Sequence, residues 1–544
     1  MKTQILFIAC WIAAALLIVS CCPKNPSLNS VKTAHGNTDW HIDTAEEFLT
    51  GQDMSGTTTA ANHCPDTWSK THMHVGSTNT NVYYYDSDVT ASGKDDDSSK
   101  GIDKPMLFFY AGHGDPTGFS ALGSDALLTN MRLGNCQGAN DGTLRYYWQC
   151  SCKVFAHGPK NCSGTTYYYA CPEDFDGSSD SDAMRNVYER WGPILHPELR
   201  MACGSSTSAY CHETETNKIW DNYNNQGYDV ADSFIDGLHR YSWNTPLCIT
   251  TGGFFTSTTP LFDTIFTNAP NPSGNYYHIQ YLSSFDTTAP PILVKKLPEL
   301  IPIYELIKPP LPDPYRKYKL EKKGDWMFST AKLKERGLPV VKVNSKSGAA
   351  YAFGERRFDE KVKALEEREY LRLAQAVIKE QGWTEKEISK PYGARMIIET
   401  APKDKMREDV KSKKCLKNVV ITSTRCVTVQ GTTVNFIGEG GKISIQLNTD
   451  GSLLNASKVW RNIKGIKRTT RAKNYDQAYE EAIAKIKEKG AYKLADWTCG
   501  YQEAAGNIEQ TELKAFYVFN FVPAEPDRSR DYPPRIIKVL AHIE

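Results

Sequence analysis

The sequence predicts an α/β domain followed by two small α+β modules, and three observations predict it. Between about residues 61 and 290, short bounded apolar runs alternate with amphipathic helical patterns. Strands alternating with helices imply a layered α/β fold, here a mostly parallel sheet flanked by helices. A proline-dense stretch, 291–325, then interrupts the pattern, and proline favours stiff, extended chain. Beyond it, segments 326–410 and 411–544 each read as strands, helix, strands, the order of a helix packed on an antiparallel sheet. Charge divides at nearly the same place. Residues 1–290 carry 16 Lys and Arg against 30 Asp and Glu, a net of −14, while the remainder carries 48 against 33, a net of +15, inside a chain whose total is only +1. The basic modules could dock on the acidic domain within the molecule, although exposed charges are screened within about 10 Å in physiological salt.

The first element is the N-terminal leader. Lys2 precedes an uncharged apolar run at 5–20, which is short for a spanning helix of about 20 residues and suits a signal-peptide core. The run closes on Ile18-Val19-Ser20-Cys21. This resembles the bacterial lipobox, which implies cleavage before Cys21, a lipid on Cys21, and a membrane-anchored lipoprotein of the cell envelope, periplasmic or at the cell surface. An ordinary secretory signal or an uncleaved anchor is the alternative. Residues 21–60, polar and rich in Ser, Thr, Asn and Gly, read as a flexible tether.

In the α/β domain, 61–290, the runs MLFFYA (106–111), LRMA (199–202) and LCITT (247–251) are the expected core strands. VADSFIDGL (230–238) places Val230, Ala231, Phe234, Ile235 and Leu238 on one helical face, with Asp229 as a plausible N-cap. In the C-terminal half, a helix is expected from 359 to 381, stopped by Gly382. Thr384 and Glu387 read as a capping box for a further short helix. Strands are expected at 340–343, 396–400, 419–429, 441–447, 515–522 and 536–541, with a turn at Asp450-Gly451 and a helix near 476–487. The strand-turn ISIQLNTDGSLL (443–454) and Val459-Trp460 resemble the PepSY and cystatin-like modules, a group implied to serve as propeptides, inhibitors or binding domains.

Fifteen cysteines occur, and 13 remain if Cys10 is removed and Cys21 is lipidated. Export to an oxidising compartment favours disulfides. Cys150, Cys152, Cys162 and Cys171 crowd an insertion, 136–171, together with His157. They fit two disulfides or a zinc knot. Cys415 and Cys426 flank an expected strand pairing and suggest another disulfide. Asp174, Asp176, Asp180 and Asp182 surround Gly177, a spacing of oxygen ligands that could hold Ca²⁺. A solvated acidic loop is the plainer reading, and no cofactor is required.

The constellation with chemical potential is His113 and Cys203. The run 106–111 delivers Gly112-His113-Gly114, and the run 199–202 delivers Cys203-Gly204-Ser205-Ser206. Ligands gather at the carboxyl ends of strands in open α/β sheets, and a histidine beside a thiol makes a nucleophile. FFYAGHG (108–114) and LRMACGSS (199–206) resemble the motifs of caspase-like cysteine peptidases. The resemblance implies a peptidase acting on a peptide or protein substrate. It makes Cys203 the nucleophile, His113 the general base or acid, and the backbone N–H groups of Gly114 and Cys203 the oxyanion hole. Against it, Cys211 lies eight residues from Cys203 and could pair with it, and buried thiols are inert. The alternative is a non-catalytic surface-binding or envelope-assembly lipoprotein on the same fold. No HExxH, P-loop or GxSxG motif is present, and no basic stripe interleaved with aromatics points to nucleic acid.

Overall fold

The computed structural model describes residues 30–36, 69–72, 93–94, 106–112, 114–115, 118–121, 124–127, 144–150, 154–155, 160–162, 165–167, 187–191, 195 and 199–206. It then describes 213–543 with breaks at 240–244, 254–258, 265–273, 289–294, 384–386, 404–411, 487–488 and 525–534. The protein is mixed α/β, with more strand than helix, in two compact units. One comprises Met1–Trp220, Asp229–Tyr281 and Glu399–Lys414; the other comprises Asp221–Tyr228, Leu282–Ile398 and Cys415–Glu544.

The first unit holds β1 (Ser30–Gly36), β2 (Ser69–His72), β3 (Leu107–Gly112), β4 (Gly114–Asp115), β5 (Gly118–Ala121), β6 (Ser124–Leu127), β7 (Tyr146–Cys150), β8 (Lys160–Cys162) and β9 (Thr165–Tyr167). They are followed by α1 (Val187–Trp191), β10 (Met201–Ser205), α2 (Glu213–Asn224) up to Trp220, α3 (Val230–Leu238), β11 (Pro246–Gly252) and β12 (Tyr276–Ser284) up to Tyr281. The main sheet runs β2-β1-β3-β7-β10-β11-β12. Its pairings are parallel from β2 to β10 and antiparallel from β10 to β12. The expected parallel character therefore gives way to a mixed sheet, because β11 returns against β10. Residues 30–36, read as tether, supply β1, which hydrogen-bonds to both β2 and β3.

Both faces of this sheet are covered, as continuous apolar runs require. On one face Phe155 stacks on Trp191 of α1 at 4.0 Å, and Tyr147 packs against the same ring. On the other, Trp148 lies 5.5 Å from Phe234 of α3. Helix α3 has the bounds that its apolar period predicts and starts after Asp229, whose side chain makes no cap bond. The amino ends of β7 and β10 are tied by polar groups. Arg200 donates to both oxygens of Asp263, and the Tyr146 hydroxyl donates to the same carboxylate at 2.7 Å.

The second unit contains β13 (Leu300–Ile307), β14 (Leu320–Lys323), β15 (Trp326–Ser329), β16 (Val341–Asn344), β17 (Ala350–Phe353), α4 (Glu367–Glu380), the part of β18 (Tyr392–Pro402) up to Ile398 and the part of β19 (Lys413–Thr424) from Cys415. It continues with β20 (Cys426–Val429), β21 (Thr432–Gly438), β22 (Lys442–Asn448), β23 (Leu453–Val459), β24 (Asn462–Arg471), α5 (Tyr475–Ala484), β25 (Tyr492–Glu503), β26 (Glu512–Pro523) and β27 (Arg535–Leu540). One antiparallel sheet runs β14-β15-β16-β17-β23-β22-β19. Against it α4 buries Tyr370, Ala374 and Val377, in a core with Ile421, Ile443 and Leu447. A second sheet runs β20-β21-β25-β26-β13-β24, with β27 on β26, and α5 buries Ala478 and Ala482 in its core. An Asn474–Gln477 capping box starts α5.

Several sequence expectations need correction here. The predicted boundary at 410/411 does not separate two modules: β17 pairs with β23, Ala350 opposite Lys458, so one sheet mixes chain from both sides of it. The stretch 291–325 is not simply a linker. Its residues 300–307 form β13, with Tyr304 opposite Leu513 on one side and Ile466 on the other. Ile301 and Ile303 of this strand are fully buried. Helix α4 begins at Glu367 rather than 359; although Phe358, Val362 and Leu365 continue the helical spacing towards the N-terminus, Val362 is 39 % exposed and finds no core to pack against. Cys415 and Cys426 are thiols, not a disulfide. Ten residues of strand run from Cys415 to Thr424, about 30 Å of extended chain over the steps between them at about 3.3 Å each, which far exceeds disulfide reach. The two glycines expected at a helix stop and a turn, Gly382 and Gly451, have φ of +67° and +84°, the left-handed region that glycine adopts without strain.

Two buried ionic groups organise the second unit. The Arg461 backbone and Nη1 donate to Glu503 Oε1 at 2.7 and 3.1 Å, and Arg425 Nη1 lies 3.8 Å from Glu503 Oε2. Arg425 also pairs with Glu387 at 3.0 Å, and its guanidinium sits 4.8 Å from the rings of Phe436 and Trp460. Elsewhere Lys342 Nζ lies 3.8 Å from the Trp326 ring and donates to Asn225 Oδ1 at 2.8 Å. That cation–π contact and amide bond fasten the short segment 221–228 within this unit. Burial pushes the Lys342 ammonium down to about 7, against the pull of Asp221.

Candidate functional site

The site expected from sequence lies where β3 and β10 end. β3 stops at Gly112. His113 is outside the described residues, and Gly114 pairs with Phe119 in the small antiparallel sheet β4-β5-β6. The strands hydrogen-bonded to β3 are β1 and β7, not β10. One row crosses the sheet through Phe109, Trp148, Cys203, Cys248 and Gln280. Cys203 is therefore level with Phe109, two strands away. Its Cα is about 10 Å across from β3, and about 10 Å short of Gly112 along the strand direction.

Cys203 is bonded to Cys248, its register partner, with an S–S distance of 2.28 Å and the Cα atoms 4.0 Å apart. Both cysteines are 0 % exposed. They belong to the face covered by α3: Cys248 Sγ approaches the Ala231 carbonyl at 3.9 Å, and Gln280 Nε2, next in the row, donates to Asp232 at 2.5 Å. The expectation of a nucleophilic Cys203 is thus corrected in this oxidised molecule, since a disulfide sulfur has no thiolate to offer. The pairing expected with Cys211 is likewise replaced by Cys248. The backbone of Cys203 lies inside a strand flanked on both sides, which leaves it no oxyanion-hole geometry. Gly204 has a packing reason, because a Cβ there would stand 2.2 Å from the Phe155 ring.

The remaining predicted positions fall differently. Cys21, Cys211, His157 and the aspartates Asp174, Asp176, Asp180 and Asp182 lie outside the described residues. Cys150 of the cysteine-rich insertion is disulfide-bonded.

A buried polar strip that the sequence did not reveal continues the disulfide row along β11 and β12. His278, opposite Thr250, is fully buried; its Nε2 lies 3.0 Å from the Gly253 carbonyl and its Nδ1 lies 3.0 Å from Thr400 Oγ1. A carbonyl only accepts, so Nε2 carries the hydrogen and Nδ1 accepts from the threonine. Burial pushes the imidazole down to about 4, assisted by Lys403 and opposed by the Gly253 bond. The unfolded chain protonates its histidine near the ordinary value of 6.5. The neutral ring's contribution is therefore full above that pH and is lost as pH falls toward about 4, on the order of 3 kcal/mol. Urea midpoints at about pH 7 and about pH 4.5 should show this loss, and His278→Gln should reduce it.

The second unit contains a half-open depression of about 630 Å³ beside α4, beneath which Ala374, Ile421, Ile443 and Ile445 are already packed together in the core. Its floor is two cross-strand pairs, Ile421–Ile445 and Ser423–Ile443. Its roof is the Leu371, Ala374 and Ile378 face of α4. Its wall is the segment 388–391, held on the sheet where the Ser389 amide donates to the Thr424 carbonyl at 2.8 Å. Gln375 and Lys390 are exposed at its rim, and Lys390 is the charged residue among the described lining residues. The sequence signal was present in the helical spacing of Leu371, Ala374 and Ile378, but a wide apolar face reads as core until the sheet opposite it is placed.

No protein-family model matches the chain, and no curated protein does. Among solved structures, an uncharacterized protein from Eubacterium rectale is similar over 44 % of this chain and 83 % of its own, at 10 % identity and a TM-score of 0.24. At that score the likeness carries no argument about fold or function.

Proposed function

We propose that this chain is an exported lipoprotein, anchored through Cys21, that binds a ligand and does not cleave one. The observation that carries the reading is the bond between Cys203 and Cys248, closed in the middle of the sheet under α3. A core disulfide suits an oxidising compartment, which agrees with the apolar leader ending at Ser20-Cys21. The caspase-like peptidase reading needs a reduced Cys203 beside His113. The row position of Cys203, two strands from β3, supports the binding reading instead.

Thiol mapping tests it. Unreduced, denatured protein digested to peptides should yield Cys203 linked to Cys248, and an acyloxymethyl ketone should label neither. Cys21→Ser should release the protein from the membrane fraction. A free Cys203 labelled by the ketone, with labelling abolished in His113→Ala, would overturn the binding reading in favour of a cysteine peptidase.

A further inference from the structure

We infer that an aromatic shelf on the second unit binds a neutral oligosaccharide of β-linked, gluco-configured pyranose rings; this names the ligand class of the proposed binding function and rests on it. The shelf is Tyr475 and Tyr479, one turn apart on α5, together with Trp497 of β25. Tyr475 lies 5.6 Å from Tyr479 with the ring planes 12° apart, and 4.7 Å from Trp497. Phe519 supports them: it is 0 % exposed, it is the register partner of Trp497, and its ring lies 5.9 Å from Tyr475 and 5.8 Å from Tyr479. The three outer rings pack on this core yet keep part of their surface in water. Their positions are therefore fixed before any ligand arrives.

Neighbouring rings of this kind suit a ligand with flat C–H faces and a rim of hydroxyls. A pyranose whose ring substituents are all equatorial has both. Its axial C–H bonds carry partial positive charge and meet the negative face of an aromatic ring, and β-links keep successive sugars extended enough to follow several rings. The polar groups beside the shelf match the rim. Asp496 Oδ1 accepts from Lys295 Nζ at 2.7 Å, and both side chains are more than half exposed. One carboxylate oxygen and two ammonium hydrogens remain for hydroxyls. Lys295 Nζ stands 5.9 Å from the Trp497 ring centre, near the outer limit of a cation–π contact, so a hydroxyl bonded there lies close to a stacked sugar. Charge selects against the other ligands that stack on aromatic rings. The ionic groups acting on the shelf are Lys295 against Asp476 and Asp496, one cation against two carboxylates, whereas nucleic acids and acidic polysaccharides call for an excess of cations.

The test is isothermal titration of the full chain with cellohexaose, with maltohexaose, polygalacturonate and oligothymidylate as comparators. Saturable binding of one cellohexaose per chain is expected, accompanied by a change in indole fluorescence and unaltered by added salt, since a neutral ligand releases no counterions. Maltohexaose, whose α-links curl the chain, should bind more weakly. Asp496→Ala, a change at an exposed position, should weaken cellohexaose about tenfold through the loss of a charge-assisted hydrogen bond, while its thermal unfolding matches the parent chain. Trp497→Leu should also weaken binding about tenfold, and Trp497→Phe, which keeps a ring, should retain most of it. Absence of saturable cellohexaose binding, equal affinity in the Asp496→Ala and parent chains, or tighter and salt-sensitive binding of oligothymidylate or polygalacturonate would overturn the inference. A reactive Cys203 in the thiol experiment would sink the non-catalytic reading and leave saccharide binding standing. Failure of saccharide binding with Cys203 linked to Cys248 would sink this inference alone.

Discussion

Replacing both Cys203 and Cys248 by alanine is expected to lower the stability of the protein by about 4 kcal/mol. The bond closes a sequence separation of 45 residues, and the chain-entropy treatment of such a loop gives about that figure. The double substitution is the informative one, because a single replacement would leave a lone thiol in a fully buried row between β7 and β12. Urea unfolding under non-reducing conditions measures the loss. Reductant without denaturant should leave the bond intact, because both cysteines are 0 % exposed and exchange requires access for the attacking thiolate. An unchanged midpoint in the double variant would mean that the two cysteines do not cross-link the folded chain.

Glu503→Gln should cost about 3–5 kcal/mol, the range for breaking a buried pair from one side. Glu503 and Arg461 are 0 % and 2 % exposed at their side chains, and Arg425 stands on the other oxygen. Burial pushes the Glu503 carboxyl up while the two guanidiniums pull it down. Without its negative charge, two cations would face one another away from water. The exposed pair Lys295–Asp496, more than half exposed on both sides, is the control: Lys295→Ala should cost no more than about 1 kcal/mol. A Glu503→Gln midpoint equal to that of Lys295→Ala would show that the buried network is dispensable.

What was legible in the sequence was local. Val230, Phe234, Ile235 and Leu238 fix α3 by their spacing, and Gly382 and Gly451 mark a helix stop and a turn because few residues accept positive φ. The apolar runs at 106–111 and 247–251 became β3 and β11. What was illegible was pairing across distance. Nothing in LRMACGSS tells whether its neighbour is the strand ending in His-Gly or one arriving from residue 246 in the opposite direction. That choice turned a candidate nucleophile into half of a cross-link. Pro302 hid a strand in the same way. Proline within an apolar run argues against a central strand, yet β13 takes it between β24 and β26, and the Pro302 carbonyl accepts from Tyr501 at 2.9 Å. The depression beside α4 was invisible for a related reason: a helix face announces its width, but the shape of what opposes it depends on which strands lie beneath.

The place of β13 has a practical consequence for anyone dissecting the molecule. An excised piece beginning at residue 326, where composition first changes, would lack the ribbon that joins β24 to β26. It would present two raw edges, with Leu513 and Tyr501 stripped of their cover. Such a piece should clump rather than fold. A truncation that keeps chain from about 295 onward preserves the seam. Proteolysis inside 300–307 should therefore be slow in the intact protein and ruinous once it occurs.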